Sequence, residues 1–357
     1  MKSLKLGNPV YALTVCLWLT MGYLAWNLGY EVGQSSVNRG RAYDGRSVQD
    51  HPKIAENDSD RNSKNDESKT EHFPRPCEQN RVSSTNLKEI VIFGSVPKCG
   101  GRTLLSLMFA LSQPNDLTVK SALNYSLENG SEIAPRQYIT RMIQPFTKAG
   151  FLYTNARFVQ ADTVQSTALL RIGLIRDPMQ RLVSSFYHRR FGDRLTAKTV
   201  DDATWERHLK AKSVDINEIF DDCVKNKMSE CVAEYTKGTL VKQFCGYHSD
   251  CKTASPAALL RAKNNVRNNY LVVGILEEID DFVRVLEKIR PSLFQGAFDK
   301  LENDERIQSV IKNSRTVGIQ SVSELTKGII KKHLAIDYEF YYFIQWRFLK
   351  QKEECGV

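Results

Sequence analysis

Residues Glu89 to Leu111 read "EIVIFGSVPKCGGRTLLSLMFAL", and the architecture follows from this stretch. Ile90, Val91, Ile92 and Phe93 form a short run of β-branched and aromatic residues, the mark of a buried strand. Leu104 to Leu111 is an apolar run of helical character. Between them stand a proline, a lysine and two adjacent glycines. A strand, a glycine-rich turn and a helix start together make an anion site. The first N–H groups of the helix are unpaired and its dipole favours negative charge. Gly100 and Gly101 let backbone approach a phosphate, Lys98 adds a point charge, and Thr103 adds a hydroxyl. The order of a nucleotide triphosphatase loop is absent, because Lys98 precedes the glycines. An ordinary βα turn is the alternative reading for this stretch taken alone.

Two further segments repeat the pattern. "RIGLI" (171–175) reads as a second strand, followed by "RDP" and a helix through Arg190. "NYLVVGI" (269–275) reads as a third, followed by a helical run from Glu277 to Ile289. Strands alternating with helices predict an α/β domain on a parallel sheet. Lys331 to Lys350 predicts a helix whose aromatics, Tyr338, Phe340, Tyr341, Phe343 and Trp346, serve the core. No internal repeat is visible.

The rest of the chain sets the context. It has 357 residues, 50 Lys and Arg against 41 Asp and Glu, and a net charge of +9. Such a surplus suits an anionic partner. Val10 to Leu28 carries no charge over 19 residues, roughly 28 Å as a helix, close to a bilayer core. Residues 1–9 then form a cytosolic tail, 10–28 a signal anchor, 29–86 a flexible lumenal stem and 87–357 the folded domain. A cleavable signal peptide is the alternative, but no small-residue cleavage site follows the apolar run. The stem contains "ENDSDRNSKNDESKTE", too polar to bury a core. Asn57, Asn124 and Asn129 begin glycosylation sequons. A lumenal domain argues against a nucleic-acid partner.

The chain contains eight cysteines. In an oxidising lumen, the closely spaced Cys223/Cys231 and Cys245/Cys251 are expected to pair. Their spacing does not suit a zinc site, and no metal is expected. Cys77 and Cys355 are candidates for a staple between the domain ends.

"IRDPMQRLVSSFYHRRFGD" (175–193) carries the second chemical signal. Arg176 stands at a strand end, and Pro178 suits the first turn of a helix. Ser184 lies eight residues beyond Arg176, and the two can converge on one phosphate. A surface Arg–Asp pair and a filler serine are the alternative.

Together the two motifs resemble those of the sulfotransferases that use 3′-phosphoadenosine 5′-phosphosulfate (PAPS). "VPKCGGRTL", the 175–193 motif, "QFCGYHSDC", "RAKNNV" and "YLVVGILEEIDDFVRVLE" resemble the Golgi 2-O-sulfotransferases that act on uronic acids of glycosaminoglycans such as heparan sulfate. "KCGGRT" and "RRFGD" are closer to the uronyl and Pipe-type branch. The likeness runs from about Ile90 to Trp346. It implies a P-loop-like parallel-sheet fold, a PAPS donor, an acidic glycan acceptor, Golgi location with single-pass type II topology, the two local disulfides, and a homotrimer. It implies that Lys98, Cys99, Gly100, Gly101, Arg102 and Thr103 hold the phosphosulfate, and that Arg176 and Ser184 hold the 3′-phosphate. Lys312 and Arg315, in "IKNSRTV", are expected to close over the donor. Arg189, Arg190 and Arg194 are candidates for gripping sulfated or carboxylated sugar; a solvated basic face is the alternative.

The sequence departs from the family where a base is needed. The family's histidine falls on Asn155 in "GFLYTNARFVQAD" (150–162), and asparagine is no base near neutral pH. The lead-in at Ser95 also differs, since the heparan-type and uronyl-type enzymes have a basic or differently polar residue there. His188 is the candidate substitute base, and Asp162 a weaker one. Three readings follow: an active enzyme with a substitute base, a homologue that binds nucleotide or sulfated glycan without transfer, and a slow enzyme using Lys98 and solvent alone.

Overall fold

The computed structural model describes residue 77 and residues 87–357, apart from 124–131, 163, 165, 198–203, 205, 208–209, 211–213 and 234–235. The candidate anchor at 10–28 and the sequons at Asn57, Asn124 and Asn129 lie outside the described residues. Among the described residues no helix is long and apolar enough to cross a membrane.

Five parallel strands form one sheet. They are β1 (Lys88–Gly94), β2 (Thr118–Ala122), β3 (Gly150–Thr154), β4 (Thr167–Ile175) and β5 (Val272–Ile275), in spatial order β2-β3-β1-β4-β5. β1 lies at the centre, paired with β3 through Ile90↔Gly150 and with β4 through Ile90↔Leu169. Ile90, Val91, Ile92 and Phe93 are all buried, because helices cover both faces of such a sheet. The chain leaves β1 in one direction across the sheet and returns to the other side after β3. The loops at the carboxyl ends of β1, β3 and β4 therefore border the point where strand order reverses, the usual ligand crevice of an open α/β sheet.

The helix α1 (Gly101–Ser112) follows β1 and buries Leu104, Leu107, Met108 and Leu111, a single face at helical spacing. The helix α2 (Ile133–Ile143) leads to β3. The helix α3 (Pro178–Phe191) follows β4; Asp177 caps it by accepting the Gln180 N–H at 2.8 Å, and Pro178 occupies its first turn. The helices α4 (Thr239–Cys245) and α5 (Pro256–Asn269) precede β5, and α6 (Ile279–Ile289) follows it. The chain closes with α7 (Glu305–Asn313), α8 (Glu324–His333) and α9 (Ala335–Cys355).

The three expected strands are present, with corrections. The third begins at Val272, because Asn269 still belongs to α5. The strand pattern did not reveal β2 or β3, each five residues long. The C-terminal helical stretch is two helices broken at Leu334. Asp337, in the first turn of α9, accepts the N–H groups of Gly238 at 2.7 Å and Leu240 at 3.0 Å, and so ties α9 to the start of α4. Tyr338, Phe340 and Tyr341 are buried as expected, whereas Trp346 is exposed.

Three disulfides are present: Cys223–Cys231, Cys245–Cys251 and Cys77–Cys355. The last joins residues 278 apart in sequence and fixes the lead-in of the domain to the end of α9.

Candidate functional site

The loop from β1 to α1 is built to leave backbone donors open. Ser95 donates its N–H to Thr154 O at 2.7 Å, so the chain continues beside β3 past the strand's end. It then turns through two left-handed residues, Lys98 at φ 65° and Gly100 at φ 78°. A lysine in that region carries about 1–3 kcal/mol of backbone strain. Gly100 precedes α1 and offers no side-chain cap. Gly101 is required for a second reason: a Cβ there would lie 2.3 Å from Ser95 Oγ and 2.9 Å from Tyr153 Oη. Ser95 and Tyr153 hydrogen-bond to each other at 3.1 Å directly behind it. Cys99 is fully buried, and burial pushes its thiol up to about 12. Thr103 is buried in the first turn of α1.

Three cations converge at this loop. Desolvation pulls the Lys98 ammonium down to about 7; the nearby guanidinium groups of Arg102 and Arg176 add to the fall, and the Asp193 carboxylate opposes it. Arg102 donates Nη1 to Asp193 Oδ2 at 2.7 Å. Arg176 stands at the carboxyl end of β4 and donates to Gln180 one turn into α3. Its neighbour Asp177 is held by the Tyr338 hydroxyl at 3.2 Å and donates its own N–H to Glu277 at 3.0 Å.

The late basic element reaches the same place. Thr316, one residue past Arg315, bridges to Asp193, and Val317 donates its N–H to Gly192 O at 3.3 Å. Thr316 Oγ1 lies 2.8 Å from Ser184 Oγ. Arg315 lies in the segment that leaves α7 and docks against α3 through Thr316, whereas Lys312 sits in the last turn of α7 itself. Ser184 is buried, and its hydroxyl meets Thr316 instead of open solvent.

His188 belongs to the same cluster. Its Nε2 lies 3.0 Å from Asp193 Oδ2, and its ring senses the charges of Lys98 and Arg102. Asp193 has no exposed side-chain surface. Its place in "RRFGD" was visible in the sequence, but its link to three cationic or ionisable neighbours was not.

Two expectations are corrected. Arg190 does not face an acceptor. It is fully buried, bonded to Glu218 at 2.7 Å and Glu230 at 2.8 Å, with its guanidinium 3.6 Å from the centre of the Phe186 ring. Arg189 is half-buried and shares Glu230. Of that trio only Arg194 is exposed. Asp162 is also spoken for: Arg136 and Thr140 of α2 hold it. Asn155 follows the end of β3 directly.

Known sulfotransferases resemble this chain in sequence. A family model described as "Sulfotransferase family" matches residues 82–343. The mouse and human proteins named uronyl 2-sulfotransferase are each 27% identical over 270 residues, covering 75% of this chain and 64% of theirs. The mouse heparan sulfate 2-O-sulfotransferase 1 is 27% identical over 271 residues, covering 73% of this chain and 71% of its own. The chain thus spans just under two thirds of the uronyl relatives' length. A solved retinol dehydratase, in complex with androsterone and inactive cofactor PAP, matches at 13% identity over 76% of this chain and 85% of that one; its TM-score of 0.20 is too low to carry any argument.

Proposed function

The chain belongs to the sulfotransferase family, and from that premise we propose that it moves a sulfuryl group from PAPS to the 2-hydroxyl of a uronic acid in a glycosaminoglycan or related acidic glycan. The observation that carries this reading is the convergence of Lys98, Arg102 and Arg176 on the uncapped start of α1. Lys98 is a half-buried cation held near its point of deprotonation, which is what a site awaiting an anion looks like. The donor's phosphates would restore its charge, so the residues present fit the group.

The donor supplies an activated sulfuryl group; the chain supplies placement and charge. Lys98, the backbone from Cys99 to Gly101, Arg102 and Thr103 would hold the phosphosulfate end. Arg176, with Ser184 beside Thr316, would hold the 3′-phosphate. Lys312, in the last turn of α7, and Arg315, in the docked segment after it, would cover it. Lys98 would stabilise negative charge that develops as the sulfuryl group leaves. Arg194 is the member of the basic trio left to meet an acidic acceptor.

The wider setting belongs to the same proposal. Residues 87–357 form the catalytic domain, behind a stem at 29–86 and a type II signal anchor at 10–28, with the domain in the Golgi lumen as a homotrimer. Three disulfides support an oxidising compartment. Asn155 favours a second reading, a homologue that binds nucleotide or sulfated glycan without transferring sulfate. The test is radiolabelled sulfate transfer from PAPS to a panel of glycosaminoglycans by the full-length protein. Transfer that is lost in Lys98→Ala supports the enzyme. Intact nucleotide binding with no transfer to any acceptor supports the second reading.

A further inference from the structure

Asp193 is a carboxylate with no exposed side-chain surface, placed just after the glycine that ends α3. Its Oδ2 serves two partners, Arg102 Nη1 at 2.7 Å and His188 Nε2 at 3.0 Å. A carboxylate in an ion pair can only accept hydrogen bonds. The hydrogen between His188 and Asp193 therefore sits on Nε2, and in the neutral ring the lone pair sits on Nδ1. Among the described residues the ring's hydrogen-bond partner is Asp193, so Nδ1 is left for something else. The ring is not sealed: 18% of the side chain is exposed.

The charges that face the ring are Asp193, Lys98 and Arg102. Burial lowers the ring's pKa, Lys98 and Arg102 lower it further, and Asp193 opposes them. The imidazole is consequently neutral near pH 7, beside the lysine that sits where the sulfuryl group would leave.

We propose that Nδ1 of His188 takes the proton of the acceptor hydroxyl, and that Asp193 is the positioning residue that fixes the ring's tautomer and orientation. The inference rests on the sulfuryl-transfer reading above. The hydroxyl proton passes to Nδ1 as the hydroxyl oxygen bonds to sulfur. The bond from sulfur to the donor's phosphate oxygen breaks, and its electron pair leaves on that oxygen. Asp193 then balances the imidazolium, which would otherwise form among cations. The arrangement follows the logic of a base oriented by a buried carboxylate, and it supplies what Asn155 lacks.

The experiment uses the full-length protein and three readouts: transfer kinetics, calorimetric binding of the desulfated nucleotide PAP, and the nitrogen-15 shifts of the His188 ring. His188→Ala is expected to lower kcat by about 10²–10⁴-fold while PAP affinity stays within about threefold. The acidic limb of the wild-type pH profile should vanish in His188→Gln. The wild-type ring should show hydrogen on Nε2, and Asp193→Asn should shift it to Nδ1 and lose activity. If Asp193→Asn fails to fold, the His188 variants and the wild-type ring spectrum still decide. His188→Ala with kcat within about threefold of wild type, while Lys98→Ala is dead, would overturn this inference and leave the sulfuryl-transfer reading standing. Hydrogen on Nδ1 in the wild type would overturn it too. A wild-type protein that transfers nothing would overturn that reading, and this inference with it.

Discussion

Replacing Lys98 by methionine should stabilise the protein while ending its activity. The lysine holds a left-handed backbone position and a desolvated charge. Its pKa falls from 10.5 to about 7, which at roughly 1.4 kcal/mol per pH unit amounts to about 4–5 kcal/mol without screening. Partial exposure of the side chain reduces this to about 2 kcal/mol. Between pH 7 and 10.5 the unfolded lysine binds a proton that the native one has lost, so wild-type stability rises with pH across that window. Below pH 7 the full cost of the charge is present, and above 10.5 none is. Methionine keeps the stem's packing and removes the charge, and Asp193 retains Arg102 and His188. Thermal unfolding of the two proteins should therefore show Lys98→Met melting higher by about 4 °C or more near pH 6.5. The gap should close as the pH approaches 10. An equal or lower melting temperature for Lys98→Met at pH 6.5, or a gap that widens with pH, would refute the argument.

PAP affinity should fall as pH rises above about 7, because binding an anion requires Lys98 to take up a proton; titration calorimetry at several pH values checks this, and Lys98→Arg should flatten the dependence. Cys355→Ser opens a link across 278 residues and should cost about 2–5 kcal/mol, read as a lower urea midpoint under non-reducing conditions. Arg190→Ala leaves Glu218 and Glu230 without their buried partner, a loss of about 3–5 kcal/mol; it should appear as a lower melting temperature, and a rise in acceptor KM at unchanged stability would restore Arg190 to the acceptor face.

Much of this arrangement was legible in the sequence because it is local. The apolar run at Ile90–Phe93, the glycines at 100 and 101, and Asp177-Pro178 each specify their structure within a few residues. The two short cysteine pairs are likewise local, and both form disulfides. What stayed hidden depends on distant partners. β2, "TVKSA", has no apolar run and buries only its last residue, and β3, "GFLYT", is buried throughout and shows no alternation. Arg189 and Arg190 looked like a basic surface until Glu230, some 40 residues away, drew them inward. Asp193 carries no local signal of burial; only the fold sets Arg102, His188 and Thr316 around it. Thr316 covering Ser184 is a contact over 132 residues that no spacing rule anticipates.

Sulfuryl transfer at a uronic acid is tested most directly by incubating the full-length protein with PAPS and desulfated glycosaminoglycans, followed by disaccharide analysis of the products. The expected result is new sulfate on the 2-oxygen of the uronic acid, absent with Lys98→Ala. Sulfate found only on amino-sugar positions, or none on any acceptor despite intact PAP binding, would contradict it.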